Sequence, residues 1–121
     1  MRLFALRGAT TVERNDADLI ADATEELLRE VMARNALAPD ACVSAIFTVT
    51  QDLDAAFPAA AARRIGFDKV PLLCAREIPV PGSLAQVIRV LIHFHADDDH
   101  ETRHVYLGEA RVLREDLEAA Q

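Results

Sequence analysis

Arg89 stands inside the apolar run Val87-Ile88-Arg89-Val90-Leu91, where a charged side chain is out of place. A guanidinium among apolar neighbours is costly unless it meets an anion or a set of acceptors. It therefore serves either a structural ion pair with an Asp or Glu, or a rigid donor for an anionic ligand. Arg7 repeats the anomaly beside Gly8, and Arg114 follows the last apolar segment directly. Guanidinium matches carboxylate in a two-pronged fork, so three such arginines could converge on a small dicarboxylate. Glu77 could pair with one of them or accept a hydrogen bond from a ligand hydroxyl. Tyr106, the only tyrosine, needs a partner for its hydroxyl and could donate to a carboxylate.

Other chemistries are weakly supported. His93 and His95 share a strand face and precede Asp97-Asp98-Asp99-His100, but this pattern lacks the spacing of zinc sites. A solvated strand end and an acidic loop explain it more simply than a metal-binding protein does. There is no Gly-x-Ser-x-Gly, no phosphate loop and no Gly-x-Gly-x-x-Gly. Cys74 lies near Glu77 but has no histidine close in sequence, so a packed thiol is the plainer reading. The residues alone point to a small-anion site lined with arginine.

The elements that would carry these residues follow from pattern. Leu3 to Val12 reads as a strand whose Gly8 permits close approach of another element. Asn15 or Asp16 offers an N-cap, and Ile20, Ala23, Leu27 and Val31, widened by Leu28 and Met32, form the stripe of a long helix. Asn35 and Pro39 end it. Cys42 to Thr50 is rich in β-branched residues and reads as a second strand. A short helix follows, with Pro58 in its first turn, alanines at 59–62 and Gly66 as its stop. Val70 to Ala75 is a short third strand, and Pro79, Pro81 and Gly82 mark a turn. Val87 to His95 is the longest strand, with Ile88, Val90, Ile92 and Phe94 on one side. Val105 to Leu113 is expected to be the last. The order predicts an α/β (α+β) domain: a mixed β-sheet with one long helix and a short helix. One sheet face has no helix assigned to it and still carries apolar residues, so an oligomer is expected.

Composition bounds the rest. The 121 residues fit one domain, with 115–121 expected to fray, and the hydrophobic and charged fractions, 51% and 27%, are those of an ordinary globular protein. The net charge of −7 argues against nucleic acid as a partner. No apolar run approaches the roughly 20 residues of a membrane helix. Two early arginines, Arg2 and Arg7, interrupt any leader-like stretch, and Cys42 and Cys74 sit in apolar segments as expected of reduced thiols. A cytoplasmic protein is expected.

Taken in order, the segments resemble the Bacillus-type chorismate mutases along nearly the whole chain. The resemblance is carried by Arg7-Gly8-Ala9-Thr10-Thr11-Val12-Glu13, Asp52-Leu53 with Phe57-Pro58-Ala59, and Val70-Pro71 with Cys74 and Glu77. Arg89-Val90, Arg103-His104-Val105-Tyr106-Leu107 and Leu113-Arg114-x-Asp116-Leu117 complete it. It implies a cofactor-free rearrangement of chorismate to prephenate, a step toward phenylalanine and tyrosine. It also implies a homotrimer forming a pseudo-α/β barrel, with active sites between subunits. Arg7, Arg89 and Tyr106 of one subunit would hold the enolpyruvyl end. Phe57, Ala59, Leu72, Leu73, Cys74, Ala75, Arg76 and Glu77 of its neighbour would hold the ring, with Arg63 and Arg114 near the mouth. Arg89, Arg7 and Glu77 would carry catalysis. Ala60 stands where family members often have lysine. The rival reading is a trimeric reactive-enamine deaminase or ligand-binding protein on a similar barrel; the Arg-Gly-Ala-Thr-Thr and Arg-His-Val-Tyr-Leu segments favour the mutase.

Overall fold

A computed structural model describes residues 1–113. Arg114 and the tail at 115–121 lie outside the described residues. The elements run β1 (Arg2–Thr11), α1 (Ala17–Arg34), β2 (Cys42–Val49), α2 (Pro58–Ala62), β3 (Leu72–Arg76), β4 (Val87–Ala96) and β5 (Val105–Tyr106). The strands form one mixed sheet in the order β3-β2-β4-β1-β5. β4 runs antiparallel to both β1 and β2, whereas β3 joins β2 and β5 joins β1 in parallel.

α1 begins where Asp16 accepts the Leu19 N–H at 3.0 Å, satisfying one of the free amides of the first turn. It ends at Asn35, a buried amide that donates to the carbonyls of Val31 and Arg103 and accepts the Arg103 N–H. The two bonds with Arg103 tie the helix end to the loop leading into β5. Ile20, Leu27, Leu28 and Val31 are fully buried and pack on one sheet face, together with Leu6, Phe47, Ile92 and Phe94. Each such side chain contributes about 1.5–3 kcal/mol by leaving water. Gly8 is the close approach its sequence suggests: a Cβ there would stand 3.2 Å from a Leu27 methyl and 3.3 Å from one of Val90. α2 starts at Pro58 and gives way to a wide turn over Arg63–Phe67, in which Gly66 takes φ 109°.

Two expectations need correction at the edges of the sheet. β3 starts at Leu72 rather than Val70, whose N–H turns back to the Phe67 carbonyl at 3.1 Å. The last strand is two residues long, not the nine from Val105 to Leu113. Gly108 turns the chain at φ 57°, and the Glu109 N–H is captured by the Thr11 hydroxyl at 3.0 Å. A short 3₁₀ turn, Gly108–Ala110, follows. A side chain at 108 would collide with Thr11 Oγ1, 2.6 Å from the Cβ position, so the bend requires glycine.

The second face of the sheet carries the odd-numbered residues of β1, β3 and β4 and, from Ser44 on, the even-numbered ones of β2; a bulge leaves Cys42 opposite Phe94 on the covered core. α1 and α2 both lie over the opposite face, and Leu3 and Leu73 on this one are 54% and 62% exposed. No helix of the described residues is long and apolar enough to cross a membrane.

Candidate active site

The open face holds a cavity of about 440 Å³. Arg7 of β1, Arg89 of β4 and Tyr106 of β5 all line it, over a floor that includes Ile46 and Leu91. They meet because the register puts them on one side: Arg7 lies opposite Leu91, Ala9 lies opposite Arg89, and Tyr106 pairs with Ala9 from the far edge. Thr48 and Leu113 also line the cavity.

Glu77 enters from the other edge. β3 ends at Arg76, but the Glu77 N–H still donates to the Val49 carbonyl at 2.9 Å, carrying the ladder one residue further. Its carboxylate thus falls on the open face, where Oε2 accepts from Arg89 Nε at 2.8 Å and from Thr48 Oγ1 at 2.7 Å. The ion pair is partly sheltered, the side chains being 38% exposed for Arg89 and 16% for Glu77. The ion-pair reading of Arg89 is realised, and the same guanidinium lines the cavity. Arg89 and Glu77 meet within one chain.

Arg7 is held through its backbone. His104 Nδ1 accepts the Arg7 N–H at 3.0 Å, which requires that nitrogen to be unprotonated. Burial, then the Arg7 charge, lower the His104 pKa below the usual imidazole value and keep the acceptor available.

The remaining candidates lie elsewhere in the chain. Leu72 and Cys74 pack toward the helix-covered core, on the face opposite Arg89. Leu73 and Ala75 alternate onto the open face and are exposed. Ala59 is buried in the core, so its side chain meets no open cleft, whereas Phe57 just before it is 73% exposed. Arg63 is exposed, and Arg76 reaches the Gln51 carbonyl at 3.4 Å. Both cysteines are free thiols; burial and then Asp40 push Cys42 up to about 11, so it stays protonated and inert near neutrality. The histidines do not converge: His93 contacts the Ser44 hydroxyl at 3.3 Å on the open face, while His100 sits edge-on to Phe4 and Phe94.

Sequence reasoning missed Thr48, Ile46 and Leu91 as cavity residues. Thr48 is the cross-strand partner of Arg89, a relation that appears only once the β2–β4 register is known.

An arginine pair and a phenol over an apolar floor, with a carboxylate locked to one guanidinium, can hold a small dicarboxylate and steady negative charge on it. The Thr48 hydroxyl is bonded to a carboxylate already engaged by Arg89, so the pair serves to fix Glu77 in place. The chorismate mutase type I family profile matches residues 3–117. The chain is 52% identical to the chorismate mutase AroH of Thermus thermophilus over 118 residues, covering 96% of this chain and 97% of that one. It is 40% identical to the chorismate mutase AroH of Bacillus subtilis, covering 97% and 94%. A solved chorismate mutase from Clostridium thermocellum superposes with a TM-score of 0.87 at 52% identity, over 90% of this chain and 98% of that one. On sequence and fold together, this chain belongs to the type I chorismate mutase family.

Proposed function

We propose that the chain rearranges chorismate to prephenate in the cavity of the open sheet face, and that three copies assemble to complete it. The observation that carries the reading is the meeting of Arg7, Arg89 and Tyr106 in one cavity with Glu77 bonded to Arg89. Chorismate is a dicarboxylate with a ring hydroxyl and an enolpyruvyl ether, and the residues present suit one carboxylate, the hydroxyl and the ether oxygen. Arg7 and Tyr106 suit a carboxylate, Glu77 suits the ring hydroxyl, and Arg89 suits the ether oxygen.

The reaction is an intramolecular Claisen-type shift. The ether carbon–oxygen bond breaks as a carbon–carbon bond forms, and no atom enters or leaves. Nothing in it calls for a nucleophile, a proton shuttle or a cofactor. It calls for a flexible substrate held in its compact reactive shape, which converts binding into proximity. It also calls for positive charge where the ether oxygen gains electron density. Arg89 gives more to the transition state than to the ground state, and that difference is what raises turnover.

Trimerisation is supported by the uncovered sheet face and by Phe57, Leu73 and Ile78, all more than half exposed on the isolated chain. Large apolar side chains left in water on one side of a small domain favour association. In the pseudo-α/β barrel that three sheets would form, Phe57, Arg63, Leu73 and Ala75 would come to the cleft from the adjoining copy. Incubating the purified protein with chorismate and identifying the product by chromatography and NMR tests the activity; unchanged chorismate would refute it. Sedimentation tests the assembly, and a fully active monomer would refute that part alone.

A further inference from the structure

We infer that Thr48 is a positioning residue for this reaction: its hydroxyl commits one oxygen of Glu77 to the protein, leaving the other to receive the substrate's ring hydroxyl. The inference rests on the assignment of the cavity given above. Thr48 sits between the two groups it serves, paired across the sheet with Arg89 on one side and with Ala75, two residues before Glu77, on the other. Its Oγ1 and Arg89 Nε both donate to Glu77 Oε2, at 2.7 and 2.8 Å. The Glu77 N–H is bonded to the Val49 carbonyl, so main chain and carboxylate are both anchored to β2.

The last torsion of a glutamate is soft, and a single donor leaves the carboxylate free to swing. Two donors on one oxygen fix its plane. Among the described residues Oε1 has no donor, and a carboxylate oxygen can only accept. It is the natural place for a ligand hydroxyl. The arrangement also orients Arg89: with Nε committed to Glu77, its terminal NH₂ groups remain for the ligand. A hydroxyl does this without charge. A second cation in its place would compete with Arg89 for Glu77 and alter the field in the cavity.

The experiment measures kcat, KM and thermal stability for Thr48→Val, Thr48→Ala and Thr48→Ser in the intact protein with chorismate as substrate. Both donorless variants should lose about tenfold in kcat with KM changed less than about threefold, the signature of a charge-assisted bond lost from a positioned group. Thr48→Ser keeps the hydroxyl and should return to within about threefold of the parent. Thr48→Ala carries the test if the valine variant folds poorly. In a Glu77→Gln background Thr48→Val should cost little more, because both changes disable one unit. Parental kcat in Thr48→Val or Thr48→Ala would overturn the proposal, and so would a serine variant as impaired as the valine one. If Glu77→Gln itself turned over like the parent, the assignment of the site would fall instead.

Discussion

Phe47 and Thr48 are neighbours in the chain and opposites in purpose, as are Val90 and Arg89. Phe47 and Val90 point into the helix-covered core, where they are fully or almost fully buried. Thr48 and Arg89 point into the cavity. The covered face is apolar, closed by α1 and α2, and its residues are exchangeable with others of the same volume. The open face carries an ion pair, a second guanidinium and a phenol. Along β2 and β4 the sheet thus alternates buried core residues with residues that line the cavity.

The division can be broken from either side. Phe47→Ala should cost about 3–5 kcal/mol of stability, as large core truncations do, while the fraction that stays folded keeps its turnover. Denaturant melts beside single-turnover rates would check it. Arg89→Ala should do the reverse, losing about 10²–10³ in kcat or more with a melting temperature close to the parent's. Arg89→Lys should also be severely impaired, because it keeps the charge and loses the fork. A strong melting shift in Arg89→Ala with normal kcat would reduce Arg89 to a structural ion pair.

A finer test concerns which chain supplies the acid. Arg89 and Glu77 meet within one chain, so assemblies mixed from Arg89→Ala and Glu77→Ala proteins should regain no activity, since every site lacks one member of the pair. Recovery toward a fraction of parental turnover would place the pair across a subunit boundary.

The smallest effect is expected at His104. Its lowered pKa means the folded protein binds fewer protons there than the unfolded chain. The stability this contributes is present above the ordinary imidazole value of 6.5 and is lost as pH falls through that value. The melting temperature should therefore fall modestly between about pH 7.5 and about pH 5.5, and His104→Gln should flatten that slope. Steeper dependence in the variant would contradict the bond to the Arg7 amide.

Much of this was legible in the sequence. The helix stripe from Ile20 to Val31 and the alternation around Arg89 follow from periodicities that tertiary structure had no reason to override, while the choice between Asn15 and Asp16 as the cap came only with the structure. Arg7, Arg89 and Tyr106 were legible as anomalies because charge and hydroxyl in apolar strands demand partners. What stayed hidden depended on register. Thr48 is an ordinary β-branched strand residue until its partner is known to be Arg89. The short β5 was hidden for a local reason, since Gly108 reads as a tolerable interruption until Thr11 is seen to capture the next amide.

The pairing of β1 with β5 has a consequence for how the protein is made. Gly8 finds its partner in Val105, so the first strand synthesised must wait for almost the whole chain before its outer edge is filled. Contacts so distant in sequence close slowly. The cavity draws on β1, β2, β4 and β5 at once, so no nascent or proteolysed fragment can carry it. This chain's share of the cavity is complete only when β5 docks beside β1.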